Sequence, residues 1–329
     1  MSAITEKMAR FVGRPVTAAV TLALLFAHVA DVQAQTDFAT AQIDVLHVQD
    51  QVYMLAGPVG NTTVQIGEQG VVVVDTQFAE LSDRILEAIA GLTDAPIRYI
   101  VNTHAHGDHI GGNAAIAAAG LTVTGGNVAG TISDAAEGAA IIAHENALIT
   151  MTEADPPIPF DDWPTETFFV ARRDLYFNGE AIRILHQPAA HTSGDVLVHF
   201  RESDVISAGD VFVTTSYPFI DIANGGHING VLDALNTIIE IAVPADKQEG
   251  GTFIVPGHGR LADEADVVEY RDMLTIIRDR VQNMVDEGMS LRQVLAAAPT
   301  RDYDGRYGAD SGFWTTQQFV EAVYENLRN

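Results

Sequence analysis

The sequence predicts a layered α/β fold closed by a run of C-terminal helices. Short apolar runs bounded by Gly, Pro, Asn and Asp alternate with segments whose apolar residues recur at three and four. At 329 residues and 47% hydrophobic content, the chain can bury a large core. After Gly259 the strand-like runs stop and helical spacing takes over.

The first half opens with four β-like runs, Ile43 to Val48, Val52 to Leu55, Thr62 to Ile66 and Val71 to Val74, separated by Gly57-Pro58, Gly60-Asn61, Gly67 and Gly70. This is the pattern of an antiparallel meander. Leu81, Ile85, Ile89 and Leu92 place a helix over Ala79 to Leu92; a strand follows over Ile97 to Val101, then a short Ala-rich helix over Asn113 to Ala119. Leu121 to Thr124 and Ala140 to Ala143 read as further strands. Ala154 to Pro164 holds four prolines and two aromatics, which excludes a helix or an inner strand; it is a packing loop or a wall of a substrate mouth.

In the second half, Phe168 to Val170, Asp174 to Phe177, Ala181 to His186, Val196 to Phe200, Val205 to Ser207 and Phe253 to Val255 read as strands, with a covering helix over Val231 to Val243. Val267, Tyr270, Leu274, Ile277, Val281 and Met284 define a long amphipathic helix over Ala262 to Glu287 that stops at Gly288. Ser290 with Gln293 resembles a capping box, and Phe319, Val323, Tyr324 and Leu327 form a last stripe. This tail either covers the sheet or meets a second copy.

The chemistry is concentrated in Thr103-His104-Ala105-His106-Gly107-Asp108-His109-Ile110-Gly111-Gly112, directly after the Ile97 to Val101 run. On a strand end His104 and His106 share a face, and Gly107 lets the chain turn so that Asp108 and His109 face a second point nearby. Two adjacent metal positions account for that crowding. By contrast, His144 has no motif partner and reads as a structural strand-end residue. His186 and His199 read as ordinary sheet residues, and His227 as a surface-loop residue. Asp75, which ends the four-valine run, either caps a turn or holds a ligand imidazole.

The His-x-His-x-Asp-His stretch resembles the metal-binding motif of the metallo-β-lactamase superfamily. Ala190-His191-Thr192-Ser193-Gly194-Asp195, Ala208-Gly209-Asp210 and Val255-Pro256-Gly257-His258-Gly259 continue that resemblance in the family's order, so that it covers Ile43 to Gly259. It implies an α/β, αββα four-layer sandwich; with the C-terminal helical extension and the N-terminal leader read from the residues themselves, the chain divides into a leader (residues 1–34), a hydrolase domain (35–261) and packed helices (262–329). It also implies two Zn²⁺, with iron or manganese as possible substitutes: one on His104, His106 and His191, the other on Asp108, His109 and His258, with Asp210 bridging. Many dedicated β-lactamases of the family carry Cys or Ser where Asp210 stands; Asp resembles glyoxalase II and other broad hydrolases.

The implied reaction is attack of metal-activated water, oriented by Asp108, on a carbonyl of an ester, lactone, thioester or cyclic amide, with β-lactam turnover a secondary activity. The alternative from another class is a mononuclear iron oxygenase similar to the family's persulfide dioxygenases. Thr214, Thr215, Ser216 and Tyr217 are candidates to bind substrate. Lys247 is the only lysine after the leader, so a substrate carboxylate falls to Arg172, Arg173 or a hydroxyl.

Lys7, Arg10 and Arg14 precede an apolar segment, Val16 to Ala30, and then Val32-Gln33-Ala34, the pattern of a secretory signal peptide cleaved after Ala34. A periplasmic or secreted location without a stable membrane span is expected. The absence of cysteine excludes disulfides and thiolate ligands, and a formal charge of −26 disfavours nucleic acid in favour of a small-molecule substrate.

Overall fold

A computed structural model describes residue 38 and residues 40–122, 138–247 and 250–328; the expected leader lies outside the described residues. The meander is β1 (Asp44–Gln49), β2 (Val52–Ala56), β3 (Asn61–Gly67) and β4 (Gly70–Val74), each antiparallel to the one before. From β4 the chain crosses in parallel to β5 (Ile97–Val101), β6 (Ala140–His144) and β7 (Glu166–Phe168), completing a seven-stranded sheet in chain order. A second, six-stranded sheet runs β8 (Arg172–Phe177), β9 (Glu180–His186), β10 (Val196–Phe200), β11 (Val205–Gly209), β12 (Phe253–Pro256) and β13 (Ala262–Asp263). Only its β11–β12 pair is parallel.

The helices are α1 (Ser82–Ala90), α2 (Gly107–Ile110), α3 (Asn113–Ala118), α4 (Glu145–Glu153), α5 (Ile228–Ile241), α6 (Glu264–Asp286), α7 (Leu291–Ala297), α8 (Asp304–Tyr307) and α9 (Thr316–Leu327). Alternation along the strands builds the layers. Val72 and Val74 face inward onto Ile182, Ile184, Val196, Val198 and Phe200 of the second sheet. Val71 and Val73 face outward onto Leu81, Ile85 and Ile89 before and within α1, and Ile116 of α3. All four valines are fully buried, each contributing roughly 1.5–3 kcal/mol. On the far side, Leu197, Ile206 and Ile254 pack against α5 and α6, joined by Phe319 and Val323 of α9. The result is the αββα sandwich, with α6 sharing one core with α5. Among the described residues no helix is long and apolar enough to cross a membrane.

Several boundaries differ from the sequence reading. The first helix is a 3₁₀ turn (Ala79–Leu81) continued by α1 and ends at Gly91. The run at Phe168 to Val170 is displaced: the strand is Glu166–Phe168, because Phe168 faces the core while Phe169 and Val170 are exposed. Leu121 makes a single bridge to Gly138, and Val123 and Thr124 lie outside the described residues. Helix α5 starts earlier than Val231, because the His227 ring accepts from Asn229 N (3.0 Å) and caps it. Ala262 belongs to β13, since Asp263 caps α6 in a capping box with Asp266 and the helix starts at Glu264, two residues later than expected. The Ser290–Gln293 box forms as expected.

His144 ends β6 and caps α4, accepting from Asn146 N (3.2 Å), and its ring stacks on His186 at 3.6 Å. Burial, with the His186 ring beside it, pushes His144 down to about 4. The folded state therefore refuses a proton that an unfolded imidazole takes near pH 6.5. The stability this costs is absent above that pH and grows as pH falls toward 4. His144→Asn, which keeps a capping acceptor, should flatten the fall in denaturant midpoint between pH 7 and pH 5. An unchanged fall would mean the acid sensitivity lies elsewhere.

Candidate metal centre

Parallel strands β4, β5 and β6 end on one edge, and their following loops collect there. The loop after β5 carries His104 and His106, and α2 carries Asp108 and His109. From the second sheet, the β9–β10 loop brings His191, the end of β11 brings Asp210 and the end of β12 brings His258. All seven residues converge in three overlapping groups, each with its donor atoms within 4.8 Å of one another: His104, His106 and His191; His104, His109 and Asp210; Asp108, His109 and His258.

Asp75 explains how the first loop is held. Its Oδ1 accepts from Thr103 N (2.7 Å), and its Oδ2 accepts from Thr103 Oγ1 (2.6 Å) and from His109 Nδ1 (2.8 Å). Of the two readings of this residue, ligand-orienting and turn-forming, the structure supports both: it orients His109, and it takes a left-handed backbone, φ 61°. Because Thr103 Oγ1 spends its proton on Asp75, it accepts from His104 Nδ1 (3.0 Å). His106 Nε2 donates to Asp221 Oδ2 (2.9 Å), and His191 Nδ1 donates to Phe219 O (2.6 Å).

These outer bonds set the tautomers, as partners of ligating histidines do. In its neutral form each ring then turns an unprotonated nitrogen inward. His106 Nδ1 lies 3.1 Å from His104 Nε2 and 2.9 Å from His191 Nε2, so with all three rings neutral three lone pairs face one another. A cation resolves that repulsion, and Zn–N bonds of 2.0–2.1 Å in a tetrahedron put such nitrogens about 3.3 Å apart. The donor set also fits at the second point, where the buried His109 Nε2 and Asp210 Oδ1 have no hydrogen-bond partner. Asp210 Oδ1 is 3.2 Å from both His109 Nε2 and His258 Nε2, while its Oδ2 turns toward His191 Nε2 at 3.8 Å. One carboxylate thus stands between the two groups.

Electrostatics sets His104 and His191 apart from the rest of the site, since the Asp221 carboxylate raises His106 despite its burial. Burial, reinforced by the neighbouring imidazoles, holds His104 well below the ordinary histidine range and His191 at about 4, so both stay neutral. Burial opposes charge at His258 as well, but Asp210 and Asp108 outweigh it and push His258 up to about 10; His109 is raised by the same carboxylates. Asp108 is drawn down to about 2, because His109 and His258 outweigh its desolvation. The carboxylate half thus demands positive charge.

Two glycines permit this closeness. Gly209 takes φ 50°, and a Cβ there would lie 2.5 Å from Thr103 Oγ1; a Cβ on Gly257 would lie 2.0 Å from Asp210 Oδ1. Asn61, from the opposite sheet, pins the His258 loop by donating to Pro256 O (2.9 Å) and Gly259 O (3.0 Å). Asp195, buried and pushed up to about 7 by its desolvation, shapes the His191 loop by accepting from Thr192 N (2.7 Å).

The four candidates for substrate contact divide. Tyr217 is corrected: its ring is buried and stacks on Phe319, and its hydroxyl donates to Asp304 Oδ1 (2.9 Å) and lies 3.2 Å from Thr300 O, so it anchors the C-terminal helices. Thr214 accepts from Arg260 N (2.9 Å) and Thr214 N donates to His258 O (3.1 Å), which makes it a support of the His258 loop. Ser216 offers its carbonyl to Tyr270 (3.0 Å), and Thr215 is exposed. Arg172 and Arg173 are paired with Asp174 and Glu166. The Pro-rich loop docks on the start of α3, where Asp162 accepts from Asn113 Nδ2 (2.8 Å) and Ala114 N (3.0 Å). Asp221 and Thr103 escape sequence reading, since Asp221 is 115 positions from the ring it holds.

Comparison with known proteins agrees with this geometry. A family model described as the metallo-beta-lactamase superfamily matches residues 56–268. No curated protein sequence matches. The stereoselective inverting sec-alkylsulfatase Pisa1 from Pseudomonas sp. superposes with a TM-score of 0.63 at 15% identity over 86% of this chain and 50% of that one, so the chain spans about half the length of that relative. A metallo-beta-lactamase from Pontibacter korlensis gives a TM-score of 0.54 at 16% identity over 71% of this chain and 99% of that one. The DIM-1 metallo-beta-lactamase gives 0.52 at 15% identity, over 71% and 97% respectively. At these identities the likeness is one of fold.

Asp221→Ala frees the His106 ring and should weaken metal binding about 10–100-fold in a chelator competition, with the circular dichroism spectrum unchanged. Gly257→Ala should lower the metal bound per chain by displacing Asp210. Wild-type metal content in a folded Gly257→Ala protein would show that Asp210 is not needed where it stands.

Proposed function

This chain belongs to the metallo-β-lactamase superfamily, and we propose that it is an exported, dinuclear metal-dependent hydrolase cleaving an ester, lactone, thioester or cyclic amide. The observation that carries this reading is Asp210, whose two carboxylate oxygens face different donor groups. His104, His106 and His191 would hold one cation, and Asp108, His109 and His258 the other, with Asp210 shared. Zinc, or iron or manganese in its place, would supply Lewis acidity and a water acidic enough to ionise near pH 7.

The chain's own residues do the rest. The site opens to solvent along His106, Asp108 and His258, whose side chains are 22%, 24% and 26% exposed, whereas His104, His109 and His191 are sealed. A substrate therefore arrives on the side of Asp108, which stays ionised and can accept a hydrogen bond from the attacking water, orienting it. Thr103, Asp75, Asp221 and Phe219 O keep the imidazoles from rotating during turnover. The pairing of Arg172 and Arg173 with carboxylates disfavours substrates that need a cationic anchor, β-lactams among them. Export is supported by the basic, then apolar, then small-residue order of the first 34 residues.

The test is a panel of aryl esters, homoserine lactones, S-lactoylglutathione and nitrocefin, with sec-alkyl sulfates added for the alkylsulfatase likeness. It is run on metal-loaded and chelator-stripped protein together with metal analysis. About two metals per chain and O₂-independent turnover are expected, with His106→Ala and His191→Ala removing at least 99% of the rate. Full activity in the stripped protein, or one iron with O₂ consumption, would reject the proposal.

A further inference from the structure

The segment joining α8 to α9 reaches the mouth of the metal centre. Its base is pinned by Ala309 N donating to Thr316 Oγ1 (3.0 Å) and Thr316 N donating to Ala309 O (2.9 Å). Its tip carries Phe313 and Trp314, whose rings lie 4.9 Å and 4.7 Å from that of Phe219, both edge-on. Phe219 in turn lies 5.6 Å from the His106 ring and 5.5 Å from the His191 ring. His106 is the open member of the three-histidine group, and all three aromatic rings are partly exposed. An aromatic wall thus stands beside the opening, and two of its three members come from beyond the residues matched by the family model.

The wall is apolar in function as well as composition. Trp314 Nε1, its one polar atom, donates to Pro218 O (3.0 Å) and is unavailable to a ligand. A partly exposed aromatic surface with no free donor gains by covering alkyl or aryl carbon.

We propose that Phe219, Phe313 and Trp314 form the substrate's specificity subsite, receiving an uncharged alkyl or aryl arm next to the bond that is split. The chain is thereby set to take neutral, apolar-armed substrates in preference to small or charged ones. This rests on the hydrolase reading for its consequence in turnover, but the subsite itself is a binding claim and is tested without turnover.

The chain has two tryptophans, so Trp163→Phe leaves Trp314 as the sole reporter. In metal-loaded Trp163→Phe protein, 1-butanol, 1-hexanol and 1-octanol should each change Trp314 emission saturably, with affinity rising roughly fourfold per methylene. Adding Phe313→Ala should weaken octanol binding at least tenfold, while Phe313→Leu, which keeps apolar bulk, should retain most of it. Metal content and circular dichroism matching the parent protein establish that the variants are folded. In parallel, the ratio of kcat/KM for p-nitrophenyl octanoate over acetate should fall at least tenfold in Phe313→Ala. No saturable emission change, or an equal response in Phe313→Ala, overturns the subsite even if esters are hydrolysed. Octanol binding that depends on Phe313, with no panel compound turned over, upholds the subsite and removes the hydrolase reading instead.

Discussion

Everything at the centre depends on one electrostatic constraint: imidazoles and carboxylates are packed against each other, with His104, His109 and His191 sealed from water. His106 Nδ1 sits within 3.1 Å of two other ring nitrogens, and Asp210 Oδ1 is buried without a hydrogen-bond partner. Unpaired groups of this kind are expensive in a low-dielectric interior. The fold offsets that cost by stiffening the surroundings, with Asp75 alone fixing Thr103 twice and His109 once. The site is thus assembled for positive charge before any arrives, which is what preorganisation means here.

The rest of the sandwich can be understood as the frame that makes such packing tolerable. The two sheets meet through Val72, Val74, Val196, Val198 and Phe200, an apolar interface whose burial stabilises the sandwich. Loops from both sheets converge at one edge, and Asn61 ties them by reaching from β3 to the carbonyls around His258. Glycine at 209 and 257 follows from the same crowding, since either Cβ would intrude on Thr103 or Asp210.

The C-terminal helices do more than cover a sheet face. Tyr217 buries its ring against Phe319 and bonds Asp304, so the segment after Asp210 is locked to the extension. That lock also sets Phe219, whose carbonyl orients His191 and whose ring carries Phe313 and Trp314. Metal site and aromatic mouth are therefore mechanically joined through a stretch of a few residues.

The sequence by itself determined most of the strands and helices, though not the helix Glu145–Glu153, because periods of two and of three to four report which face is buried; it pointed to His104, His106, Asp108 and His109 by their dense local spacing, and to His191, Asp210 and His258 only through the family resemblance. It left Asp75 ambiguous and set Tyr217 at the substrate, because a hydroxyl after a ligand reads alike whether it faces solvent or core. It gave no sign of Asp221, Asn61 or the Phe313–Trp314 tip. Those roles come from contacts between residues roughly 90 or more positions apart, and local periodicity carries no information about such pairs; only the closing of the two sheets and the docking of the extension decided them.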